Sequence, residues 1–280
     1  MVAMKRRLPV IIFFLGLAAA LPGCLEAEKK APSDLEDARH AMMTRDYLEA
    51  EKSFERYLRR SPQGADRWEV WNSLVDLALS VRNDRKAAIE LLEAMLIEYA
   101  EAPARKRVIS SQLAEQYRIV RNYERALTLW SGIADDKNAD VVERARACRN
   151  LAGIYLRRLE FELAKESLDY CLALDIPDTV RADCLYDLAQ TYVGTGDLDQ
   201  AITHFRQVLA LGNIPGSTRT LTVFMLADTL DQKGLNAEAL KLFTSISDDY
   251  PNPKVVAQRI AFLKNKKKTP AAQAAPEGRK

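Results

Sequence analysis

The sequence predicts an all-α protein built of about six stacked helix-turn-helix units and closed by a capping helix. Three observations carry this expectation. An alanine-anchored pattern recurs six times at a period near 38. Glycine and proline are sparse, at 11 each in 280 residues, and aromatics make up 8%, which suits helices. Pro62, Pro103, Pro177, Pro215 and Pro251 fall at intervals where a helix cannot continue, and so punctuate the units.

The pattern reads most clearly in the middle of the chain. Residues 113–117 are LAEQY, 151–155 LAGIY and 188–192 LAQTY. Nine residues after each tyrosine comes an alanine (Ala126, Ala164, Ala201), then Trp130, Leu168 or Phe205, then Ile133, Cys171 or Val208. A fourth copy runs Leu226, Ala227, Leu230, Ala239, Phe243, Ile246 and ends in Pro251. Two weaker copies precede these: Ala50, Phe54, Tyr57, Pro62, and Trp71, Leu74, Ala78, Ala87, Leu91, Ala94. The anchoring alanines, from Ala50 and Ala87 to Ala239, are spaced by 37, 39, 38, 37 and 38 residues. Leu113, Ala114 and Tyr117 share a helical face. The small alanines let paired helices approach, and Tyr117 and Trp130 fill the space between pairs. The units are expected near 34–62, 66–103, 107–138, 145–177, 181–215 and 219–251, within a body spanning 34–264. Arg45-Asp46, Asn83-Asp84, Arg121-Asn122, Gly196-Asp197 and Gly234 are the expected turns inside them. Residues 254–263 (KVVAQRIAFL) read as the cap. One helix pair cannot bury its own face, so stacking six makes the core continuous.

These residues resemble the tetratricopeptide repeat, over roughly residues 34–251. The resemblance implies a right-handed superhelix, although the usual period of that family is 34. It also implies that first helices line a concave groove for a protein or peptide partner. By helical phase, Asn72, Asp76, Ser111, Glu115, Arg146, Arg149, Tyr186, Gln190, Phe224 and Asp228 would face that groove. Arg146, Arg149 and Arg157 suggest a basic patch on the fourth unit, with Tyr186 and Phe224 as aromatic anchors.

The ends of the chain differ from the body. Lys5-Arg6-Arg7 precede an apolar run from Leu8 to Leu21, too short for a spanning helix, which wants about 20 residues. A basic start and a short apolar run mark residues 1–23 as an export signal. Leu21-Pro22-Gly23-Cys24 resembles the lipobox of bacterial lipoproteins, which implies an acylated Cys24 at the mature terminus. Several acyl chains hold a protein stably at a membrane. Leu25 stands where an inner-membrane retention aspartate would, so the resemblance favours the outer membrane, facing the periplasm. Residues 24–33 read as a tether, and 265–280 as a disordered basic tail.

Composition narrows the function classes. Net charge is +2, with +3 in the first 23 residues and +5 from Lys264 onward, which leaves about −6 for the body. An acidic body argues against nucleic acid. His40 and His204 lie in different units, with no HExxH or CxxC nearby, so no metal and no other cofactor is expected. No nucleophile elbow appears, GTGD at 194–197 is a turn, and Asp135-Asp136 and Asp248-Asp249 read as solvated helix ends. Of the four cysteines, Cys171 and Cys184 flank Pro177 almost symmetrically and are a candidate disulfide; the alternative is buried, unbridged cysteines. The expectation is a non-catalytic, lipid-anchored periplasmic scaffold that binds protein partners in its groove. A subunit similar to the repeat lipoprotein of the barrel-assembly machinery, and a glycan-binding accessory protein, are the alternatives.

Overall fold

The computed structural model describes residues 33–268, so the export signal, Cys24 and nearly all of the tether lie outside the described residues. The described elements are helical: α1 (Asp34–Met43), α2 (Tyr47–Arg60), α3 (Arg67–Asp76), α4 (Arg85–Glu98), α5 (Pro103–Ile119), α6 (Tyr123–Asp135), α7 (Val141–Arg157), α8 (Phe161–Ala173), α9 (Asp178–Thr195), α10 (Leu198–Ala210), α11 (Gly216–Gln232), α12 (Asn236–Ser245) and α13 (Pro253–Lys268). The chain divides into two compact units, with the boundary inside α2 between Tyr57 and Leu58.

The first unit holds α1 and most of α2. A capping box starts α1: Ser33 Oγ accepts from the Glu36 amide, and the Glu36 carboxylate accepts from the Ser33 amide. Leu35, Ala38 and Ala41 of α1, and Ala50 and Phe54 of α2, are its buried apolar positions. Arg56 of α2 ties the helices by donating to Asp34 of α1 at 3.2 Å, and it is held by Glu49 of its own helix at 2.9 Å.

The second unit is an α-solenoid in which each helix packs on the next, and α9 also meets the first helices α7 and α11. Ala114, Ala126, Ala164, Ala189, Ala201, Ala227 and Ala239 are fully buried at the crossings. Trp130, Leu168, Phe205 and Phe243 are buried between successive pairs. The long period is spent on first helices of 17 or 18 residues, from α5 through α11.

Every inter-helix turn within a pair turns on one residue with positive φ: Arg45, Asn83, Arg121, Leu159, Gly196 and Gly234. Each sits five residues before a buried alanine. In four of the turns the next amide reaches back to the carbonyl five residues earlier, as in Asn122 to Tyr117 at 2.8 Å and Glu160 to Tyr155 at 2.9 Å. Asp46, Asp84, Asn122 and Asp197 then cap the following helix through their side chains. Leu159 is an anomaly, because a branched residue pays a conformational cost of about 1–2 kcal/mol in this region. It is 72% exposed, so its side chain contributes little burial. Leu159→Gly should therefore raise stability by about 1 kcal/mol, and Gly196→Ala should lower it by a similar amount. Urea unfolding midpoints check both signs.

The second anchoring alanine is Ala88, not Ala87: Ala88, Leu92 and Met95 are buried, whereas Ala87 is only half-buried. The cause is a π-helical turn at Leu77–Val81 that continues α3. It adds one residue before the turn, so the Asp84 amide reaches six residues back, to Ala78. With this correction the alanine spacing becomes 38, 38, 38, 37 and 38, matching that of the positive-φ residues.

The C-terminal reading also needs correction. The cap runs from Pro253 to Lys268, so residues 265–268 are helix rather than the start of a disordered tail. Lysines suit a helix C-terminus, where they oppose the macrodipole. Val256 and Leu263 are buried against the last pair, and Lys266 donates to Asp231 at 2.9 Å. Residues 269–280 lie outside the described residues.

Candidate functional site

The first helices of the second unit present an exposed stripe. On α7 it comprises Arg146, Asn150, Gly153 and Arg157, at i, i+4, i+7 and i+11, all exposed or half-buried. On α9 the matching positions are Asp183, Asp187, Gln190 and Gly194. Arg149 joins the two stripes, with Nη1 2.6 Å from Asp183 and Nε 2.7 Å from Asp187. Burial raises the Asp187 carboxyl above its ordinary range, and the Arg149 hydrogen bond opposes that shift.

The residues expected to face a partner therefore divide. Arg146, Arg157 and Gln190 are exposed, and neither arginine has a carboxylate partner among the described residues. Arg149 is not a third free cation, because two aspartates hold it. Asp228 is bound by Arg259 of the cap at 2.5 Å and by Gln232 at 3.0 Å. Tyr186 and Phe224 are half-buried packing residues rather than free anchors. Tyr186 meets Phe205 edge-on at 5.7 Å, and burial raises its phenol pKa. Phe224 stacks on Tyr250 at 4.6 Å and meets Phe243 edge-on at 5.3 Å. Further along the solenoid, Glu115 pairs with Arg118 one turn on.

Gly153 lies between the free arginines. A Cβ there would meet nothing within 4 Å. A glycine inside a helix costs roughly 0.5–1 kcal/mol against alanine. No packing neighbour accounts for that cost, and the glycine leaves a notch in the stripe.

A second periodic set went unread in the sequence. Arg67, Arg105, Arg144, Arg181 and Arg219 recur at spacings of 38, 39, 37 and 38 near the starts of first helices. Four of them donate to carbonyls at the end of the preceding helix. Arg67 reaches Leu58 and Ser61, Arg144 reaches Ala134, Arg181 reaches Leu172 and Leu174, and Arg219 reaches Leu209 and Leu211, at 2.6–3.3 Å. They satisfy acceptors that a helix end leaves open. Arg105 differs: its guanidinium lies over the rings of Trp68 and Tyr99, at 5.2 and 5.0 Å. These four arginines fasten the start of a first helix to the end of the helix before it.

Arg67 also forks onto Glu98, at 2.7 and 2.5 Å, and Trp71 Nε1 donates to the same carboxylate at 2.9 Å. The Arg67 hydrogen bond holds the Glu98 carboxyl below its ordinary range. A carboxylate with a depressed folded pKa contributes stability above its unfolded pKa and loses it as pH falls through the folded one. Glu98→Gln should lower stability at pH 7 and flatten the acid limb below about pH 4.5, read by thermal unfolding across pH.

Cys171 of α8 and Cys184 of α9 are joined by a disulfide, with Cα atoms 6.5 Å apart and both side chains fully buried. Cys148 of α7 is a buried free thiol whose pKa burial pushes up to about 11. His204 stacks on Tyr192 at 5.3 Å, and its Nδ1 lies 2.9 Å from the Gln207 amide oxygen. Among the described residues no group of His, Cys, Asp or Glu is arranged to hold a metal, and no helix is long and apolar enough to cross a membrane.

Comparison with known proteins agrees with this architecture. Residues 35–103 and 182–211 each match a family model described as a tetratricopeptide repeat. No curated protein matches the sequence. Among solved structures, a putative kinesin light chain with nearly identical TPR-like repeats from Podosopora anserina is 17% identical, with a TM-score of 0.51 over 74% of this chain and 99% of that one. The pilF protein of Pseudomonas aeruginosa is 14% identical, with a TM-score of 0.50 over 83% and 96%. At such identities the likeness concerns the fold.

Proposed function

Since this chain is built of tetratricopeptide repeats, we propose that it is a protein-binding scaffold of the bacterial envelope, tied to the membrane by an acylated Cys24. The observation that carries the binding half is the exposed stripe on α7 and α9, where Arg146 and Arg157 stand without carboxylate partners beside the Gly153 notch. Arginine brings five donors in a rigid fork, suited to carboxylates and carbonyls of a bound chain. The Arg149 bridge holds the two stripes in place before a partner arrives, which lowers the ordering cost of binding. The anchor half rests on the Leu-Pro-Gly-Cys sequence alone. Through it the scaffold would work at the periplasmic face of the outer membrane, without catalysis.

Two variants test the halves separately. Cys24→Ala should move the protein from the membrane to the soluble fraction; retention at the membrane would refute the anchor. Arg146→Glu combined with Arg157→Glu should leave the fold intact, since neither side chain packs, and should abolish recovery of the dominant partner in affinity capture. Unchanged recovery would refute the stripe.

A further inference from the structure

The capping helix α13 carries more positive charge than the fold uses. It holds Lys254, Arg259, Lys264, Lys266, Lys267 and Lys268, and no acid. Asp228 takes up Arg259 at 2.5 Å, and Asp231 takes up Lys266 at 2.9 Å. Asp248 and Asp249, in the turn before the helix, offset Lys254 at its start. Lys264 is exposed, with no carboxylate partner among the described residues, and Lys267 and Lys268 follow it in the last turn. The helix has no acid to offset these three positive charges, which fall within five residues.

The outer face of the same helix is not polar along its length. Lys254, Gln258, Ala261, Phe262 and Asn265 are all exposed and fall at i, i+4, i+7, i+8 and i+11, so they share one face. The middle of that face is apolar: Ala257 and Ala261 are exposed, and Phe262 is 54% exposed. A helix that closes a repeat array keeps it soluble by presenting a polar outer face. An open phenylalanine works against that task. The Lys266 ammonium lies 5.7 Å from the centre of its ring, so a cation already sits beside the exposed aromatic.

We propose that α13 lies on the surface of a bilayer that contains anionic phospholipid, with Phe262 inserted among the headgroups and the lysine cluster meeting lipid phosphates. The two chemistries of the face decide the partner. Lysines near an anionic leaflet each strengthen binding, and their apolar stems can lie along hydrocarbon while the ammonium stays with the phosphates. Phe262 needs an apolar layer, and a bilayer has one directly beneath its phosphates. A soluble polyanion would meet the lysines and leave Phe262 in water. The contact is made by a helix at the far end of the sequence from Cys24, so it stands independently of acylation there. It also stands independently of the α7 and α9 stripes, because none of its residues belongs to them.

The test uses the full chain and vesicles of equal parts phosphatidylglycerol and phosphatidylcholine, with phosphatidylcholine alone as the control. An environment-sensitive fluorescent amino acid in place of Phe262 should shift its emission to the blue on the anionic vesicles and not on the neutral ones. In co-sedimentation, Lys264→Gln combined with Lys267→Gln and Lys268→Gln should weaken binding to the anionic vesicles at least tenfold. Phe262→Ser should weaken it about three- to fivefold. Both variants should keep the circular dichroism spectrum, because glutamine and lysine are similar helix formers and Phe262 is exposed. Every variant keeps the same N-terminal residues, so any affinity of theirs is common to all arms. Absence of the blue shift, or binding indifferent to the three glutamines, would overturn the proposal. So would binding lost with the glutamines but untouched by Phe262→Ser, because the site would then be one for a soluble polyanion.

Discussion

Phe205→Ala should destabilise the solenoid by about 3–5 kcal/mol, as truncation of a large buried aromatic does. Phe205 is fully buried on α10 and joins the core of α9, α10, α11 and α12. The loss therefore falls on the interface between the fifth and sixth pairs as well as within the fifth. In a repeat array stability is close to a sum of unit and nearest-neighbour terms, so the effect should be local. Hydrogen exchange should show protection falling in α9 through α12 while α5 and α6 keep theirs. Uniform loss along the solenoid would show that it unfolds as one cooperative block.

Removing the disulfide should cost about 3 kcal/mol, the loop-closure value for a bridge across a loop of about 15 residues. Cys171 and Cys184 are 13 residues apart and join the fourth pair to the fifth. The double variant Cys171→Ala, Cys184→Ala avoids placing hydroxyls in a fully buried site. Dithiothreitol should lower the melting temperature of the wild-type chain and leave that of the variant unchanged. Cys148 is a buried control: Cys148→Ala should keep the response to reductant. A wild-type melting temperature indifferent to reductant would mean that the bridge contributes nothing.

Part of this structure could be read directly and part could not, for reasons that particular residues show. The Leu-Ala-x-x-Tyr pattern and its alanines are legible because one packing constraint repeats at each crossing. The π-helical turn at Leu77–Val81 is illegible, because its extra residue leaves no compositional mark; this is why the offset that leads from Leu113 to Ala126 leads from Leu74 to Ala87 and not to Ala88. Leu159 in a left-handed turn is hidden for a similar reason, since leucine has no preference for that conformation. The periodic arginines were visible as a spacing, but 41 Lys and Arg residues mask them and their acceptors are main-chain carbonyls. For the stripe, helical phase found the exposed Arg146, Arg157 and Gln190. It could not tell that Arg149, Phe224 and Asp228 are occupied, because their partners come from elsewhere in the chain: Asp183 and Asp187 from α9, Tyr250 from the loop after α12, and Arg259 from α13.

The central claim is that a protein partner lies along the first helices of this scaffold, and site-specific photocrosslinking in cells tests it most directly. A benzophenone amino acid placed singly at Asn150, Arg157 or Gln190 should trap the same envelope protein from all three positions. The same probe at Lys86 or Glu166, exposed on second helices, should not trap it. Equal trapping from both sets, or none from the stripe, would contradict the account.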